Sequence, residues 1–160
     1  MQMIANAKIV TRDALSATAT FQTAANTVNM KLYPRCLVAL WIYGSGAGTG
    51  AVTLKQSTVA AGTDAKALGF TDYWYSADYI TLDSLTKGAA TSNTFNAVAV
   101  NAKLSCYFIE VKADALDVDN DFTFLRCDVA NVANAVGHLQ YLLYEARYAK
   151  GADAMPSAIS

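Results

Sequence analysis

The sequence predicts an all-β fold, an antiparallel β-sandwich or jelly-roll-like barrel of about seven or eight strands behind an extended N-terminal arm. Three observations predict it. From Tyr33 onward, short runs of β-branched and aromatic residues alternate with turn residues, the pattern of sandwiches and barrels. The helix former Glu occurs only at Glu110 and Glu145, while Thr is abundant. Finally, 54% of the 160 residues are hydrophobic and only 16% are charged, against about 25% charged in ordinary domains. That balance excludes a disordered chain, and the length suits one domain.

The elements follow in order. Residues 1–30 are rich in Ala, Thr, Asn and Gln without steady periodicity. They read as an arm with one short strand around Lys8–Arg12. Residues 31–148 form the expected domain and 149–160 a tail. Cys36–Tyr43 is apolar on both faces, as in a central strand covered on both sides. A glycine loop, Gly44-Ser-Gly-Ala-Gly-Thr-Gly50, then leads into Ala51–Gln56, where Val52, Leu54 and Gln56 alternate with Thr53 and Lys55. The two runs read as a β-hairpin. Thr58–Leu68 is a loop. Phe70–Ile80 follows, with Tyr73, Trp74, Tyr75 and Tyr79 in seven residues. Lys87-Gly88 reads as a turn and Thr94–Val98 as a weak strand. Leu104–Val111, Phe122–Val129 and His138–Tyr148 close the domain.

Several function classes fall away on composition and motif. Twelve Lys and Arg against thirteen Asp and Glu leave a net charge of −1, so a broadly basic nucleic-acid surface is not expected. Cys36–Leu54 carries no charge and approaches the length of a membrane span. Its glycines each cost a helix about 1 kcal/mol, so no membrane partner is expected. The N-terminus has no basic leader with an apolar core, and synthesis without secretion is the expectation. Cys36, Cys106 and Cys127 lie far apart inside apolar runs, as reduced core thiols do.

Four segments invite chemical readings. Gly46, Gly48 and Ala51 fit G-x-G-x-x-A, but a strand follows where a dinucleotide site requires a helix. Asp117, Asp119 and Asp121 match the opening of a calcium-binding loop, yet Phe122 stands where that loop needs glycine and Asp128 where it needs Glu. The segment reads as a polar turn, with an adventitious cation site as the alternative. His138 is the single histidine, and no G-x-S-x-G elbow surrounds any serine. No catalytic residue, cofactor or metal site is therefore assigned. The aromatic run Tyr73, Trp74, Tyr75 and Tyr79 has rings on both parities of a strand, which cannot all be buried unless a neighbour covers one face. Tyr and Trp are favoured at interfaces, so these four are the candidate interface residues.

Read together, several segments resemble virion structural proteins of tailed bacteriophages, of the head decoration (cement) type. They are Leu32–Leu40, the glycine loop with Val52–Gln56, Lys66–Thr71, Tyr107–Phe122 and Glu145–Tyr148. The resemblance spans roughly residues 30–148 and carries no functional residue across. It implies a non-enzymatic protein made in the host cytoplasm that binds the major capsid protein of an assembled shell and itself forms a homo-oligomer, possibly a trimer by analogy. The N-terminal arm would drape over a neighbour. A tail or connector component is the alternative within that class, and a carbohydrate-binding module using Trp74 the alternative outside it.

Overall fold

A computed structural model describes residues 7–17, 26–146 and 157–159. Eleven strands run through them: β1 (Ala7–Ala17), β2 (Thr27–Asn29), β3 (Arg35–Gly44), β4 (Gly48–Ser57), β5 (Lys66–Ala67), β6 (Asp72–Ser76), β7 (Thr86–Ala89), β8 (Thr94–Ala99), β9 (Leu104–Lys112), β10 (Phe124–Val129) and β11 (Ala135–Tyr144). They form two sheets. One has the order β1-β11-β3-β9-β6-β7, and the other β2-β10-β4-β5 with β8 also on β4. The strands pair antiparallel and the sheets stay open, so the fold is a β-sandwich and not a closed barrel.

The core lies between the sheets. Strand periodicity sends Cys36, Val38, Leu40 and Ile42 of β3 inward beside Tyr107, Ile109 and Val111 of β9 and Leu139, Tyr141 and Leu143 of β11. The facing sheet contributes Val52, Leu54, Leu125, Cys127, Val129 and Phe95. Burial pushes the Cys36 and Cys127 thiols far above their ordinary range, which leaves them protonated and inert.

Two tyrosine hydroxyls tie the layers together. The Tyr141 hydroxyl accepts from the Cys127 N–H and donates to the Asn26 carbonyl, both at 2.8 Å. The Tyr107 hydroxyl accepts from the Val98 N–H at 2.8 Å and donates to the Val98 carbonyl at 3.2 Å. Each ring fills core space while its polar end satisfies backbone groups of the opposite sheet.

The strands number eleven rather than seven or eight, with the short β5 inside the expected loop Thr58–Leu68, and four further expectations change. First, β3 and β4 are not a hairpin: β3 pairs with β11 and β9, whereas β4 pairs with β10, β5 and β8. The glycine loop instead carries the chain from one sheet to the other. A Cβ on Gly44 would sit 2.5 Å from the Val100 carbonyl oxygen, and one on Gly48 2.3 Å from that of Ala133. The glycines are there for close backbone approach.

Second, the segment assigned to an arm contributes β1 and β2 to the sandwich. The strand expected at Lys8–Arg12 extends from Ala7 to Ala17, pairing with β11 from Ala7↔Tyr144 to Ala17↔Val136. Register shifts between Thr11 and Asp13 and between Asp13 and Ser16 break its periodicity, as bulged edge strands do. Residues 1–6 and 18–25, and with them the remainder of the arm, lie outside the described residues.

Third, Lys87-Gly88 lies within β7 rather than in a turn, with Gly88 opposite Tyr73. A Cβ there would stand 2.3 Å from the Tyr73 ring, so the ring occupies the space a side chain would need. Fourth, part of the expected tail packs onto the domain. The Asn29 N–H donates to the Ala158 carbonyl at 2.9 Å, and Ala158 is buried in the core cluster.

Candidate functional site

Strand parity splits the four candidate aromatics. Along β6, Tyr73 and Tyr75 face inward and are half-buried, while Trp74 faces out and is 47% exposed. Tyr73 stacks on Phe95 with centroids 3.9 Å apart, and Tyr75 stacks on Tyr107 at 6.0 Å. Those two rings belong to the core edge. Trp74 and Tyr79 remain on the outer surface, with Tyr79 41% exposed.

The outer face of the six-stranded sheet has its own apolar cluster. Trp41 stands opposite Cys106 on one side and His138 on the other, and Ala39 stands between Phe108 and Gln140. Trp41 meets Phe108 edge to face at 5.5 Å. Ala39 and Cys106 have outward parity yet are 2% and 0% exposed, because larger neighbours on this face cover them. Trp41 and Phe108 were not singled out from sequence. The signal for Trp41 is the two-sided apolarity of β3, which marks the outer as well as the inner face.

Tyr79 anchors a projecting loop to this cluster. The loop joins β6 to β7 and carries Ile80, Leu82 and Leu85, which are 67%, 52% and 41% exposed. Exposed apolar side chains in such density are unusual on a loop. Its base is held firmly. The Tyr79 N–H donates to the Leu104 carbonyl at 2.8 Å, and the Ser105 hydroxyl donates to the Ala77 carbonyl at 3.1 Å. The Asp78 carboxylate accepts from the Thr81 hydroxyl at 2.6 Å and pairs with the Lys103 ammonium at 3.0 Å. Those two bonds, the Thr81 one foremost, hold its carboxyl below the ordinary carboxylate range.

Elsewhere the candidate chemistry resolves into local structure. Asp117 pairs with the Lys66 ammonium and accepts from the Asn120 amide at 2.9 Å, while its own N–H donates to the Gln56 side-chain oxygen at 2.7 Å. Asp121 takes a left-handed conformation at φ 62° after the short 3₁₀ turn Val118–Asn120. This is a polar turn, with the Lys66 ammonium 3.8 Å over the Phe122 ring. Among the described residues, no group of three or more His, Cys, Asp or Glu is placed to hold a metal ion, and no helix is long and apolar enough to cross a membrane.

No protein-family model matches the sequence, and no curated protein matches it. Among solved structures, the chain is similar to the SPBc2 prophage-derived protein YomS, with a TM-score of 0.45 and 6% identity over 86% of this chain and 93% of that one.

Proposed function

We propose that the protein is a non-enzymatic structural component of a phage virion, of the head decoration type, which docks on an assembled capsid. One observation supports this reading above the others: a firmly anchored loop presents Ile80, Leu82 and Leu85 beside Tyr79 at the edge of an apolar sheet face. A loop left exposed and apolar for no purpose would be disordered or folded back. Here the first part of the loop is tied down instead, by the Tyr79 N–H on the Leu104 carbonyl and by the Asp78 carboxylate on Thr81 and Lys103.

The chemistry agrees with a docking role. Two carboxylates near the loop are paired within the chain, Asp78 with Lys103 and Asp72 with Lys87, while Asp83 stays exposed on the loop itself. A symmetric shell repeats the contact, which makes a modest apolar patch sufficient through multivalency. Homo-oligomerisation, as a trimer by analogy with decoration proteins, belongs to the same proposal. Mass spectrometry and cryo-electron microscopy of the purified source particle test it. The expected result is this chain on the outside of the head in tens to hundreds of copies, in proportion to the capsid protein. Its location in the tail or at the connector, or its absence from particles, contradicts the proposal.

A further inference from the structure

A cleft opens where β6 leaves β9. The two strands pair at Ser76↔Cys106, Tyr75↔Tyr107 and Trp74↔Phe108, and there their pairing ends. Strand β9 continues beside β3 to Lys112, opposite Arg35, while Asp72 and Tyr73 stay with β7. The divergence leaves a cavity of about 500 Å³, within the range of small-molecule sites.

Its lining is mixed. Leu54, Leu68 and Val111, all buried core residues, form an apolar floor, and Trp74, Asp72, Glu110, Lys112 and Asp114 stand around it. Asp72 pairs with Lys87 at 2.9 Å and Glu110 with Arg35 at 3.2 Å. Their oxygens remain half-exposed acceptors in locally neutral surroundings, which suits hydroxyl donors better than a bare cation. An added peptide strand fits poorly. The open stretch of β9 runs only from residue 109 to 112 before the 3₁₀ turn Ala113–Ala115, shorter than a typical strand of about five or six residues.

We propose that this cleft binds a neutral sugar, a hexose or N-acetylhexosamine. A pyranose has an apolar C–H face that stacks on an indole and a rim of hydroxyls that donate to carboxylates, and the cleft offers both. The site is independent of the loop contact, so sugar binding and capsid docking succeed or fail separately.

The test is a two-dimensional amide NMR titration of the full chain with glucose, galactose, mannose and N-acetylglucosamine, each to about 50 mM, which fills a site of millimolar Kd. The expected result is saturable shifts confined to residues 68–74 and 110–115 with at least one of the sugars. Trp74→Ala and Asp114→Asn, each checked for an unchanged spectrum elsewhere, should each weaken binding about tenfold, equivalent to about 1.4 kcal/mol. No saturable shift with any of the four overturns the proposal. So do shifts that map elsewhere, or both variants binding like the parent.

Discussion

The ring of Tyr79 meets that of Trp41 edge to face, with centroids 5.3 Å apart and planes at 76°. This contact joins the projecting loop to the outer face of the six-stranded sheet. An edge-to-face pair is worth about 0.5–1.5 kcal/mol beyond its buried area. Tyr79→Ala should therefore speed hydrogen exchange at the amides of Tyr79 and Leu82 by about fivefold, with exchange in β3 and β11 unchanged. Equal protection in the variant would mean that the backbone bonds alone hold the loop.

The hydroxyl of Tyr141 is the second point to probe. Removing it strands the Cys127 N–H in a dry interior, while the ring of Phe still fills the space. Tyr141→Phe should cost about 1–3 kcal/mol in urea unfolding with an unchanged denaturant slope. A loss under about 0.3 kcal/mol would indicate that another group satisfies the amide.

The glycine loop separates two explanations of glycine. Gly48→Ala forces a methyl against the Ala133 carbonyl, whereas Gly46→Ala meets only the Asn134 side chain, at 3.2 Å. The first should destabilise the domain by about 1–3 kcal/mol and the second by less than about 0.5 kcal/mol. Equal effects on thermal unfolding would favour plain loop flexibility over close packing at Gly48.

Acid should loosen the projecting loop. Because the folded Asp78 carboxyl lies below its ordinary 3.8, its bonds stabilise the fold above that value. The contribution is lost as the pH falls through the lower, folded value. Asp78→Asn should flatten this part of the acid dependence of loop hydrogen exchange, since the amide does not titrate. An identical acid profile in the variant would assign the effect elsewhere, with Asp64 and Asp117, also lowered, as the next sites to examine.

Much of the fold was legible in the sequence. The runs that became β3, β4, β9, β10 and β11 declared themselves by apolar content, because core strands must bury at least one face. What stayed hidden was pairing. Nothing local in Gly44–Gly50 distinguishes a hairpin from a crossing between sheets, since the deciding contacts come from Val100 and Ala133, more than 50 residues away. Strand β1 was read short because its bulges break the alternation. Gly88 imitated a turn because its missing side chain makes room for Tyr73. Within the candidate site, the sequence located the aromatic segment but not its parity. Tyr73 and Tyr75 turn in while Trp74 turns out, and β6 is too short for flanking residues to fix which face is which. The cleft was invisible for the same reason as the pairing: it exists where two strands distant in sequence part.

The measurement that tests the central claim most directly is rebinding to capsids purified without this protein. Parent and Ile80→Ser/Leu82→Ser chains would be compared by sedimentation and cryo-electron microscopy. Both positions are more than half exposed, so the double variant should keep the parent's melting temperature. The predicted result is saturating occupancy of the shell by the parent and at least about a tenfold loss of affinity in the variant. Equal occupancy by both chains would contradict the assignment of the loop as the docking element, and failure of the parent to bind any shell would contradict the decoration role itself.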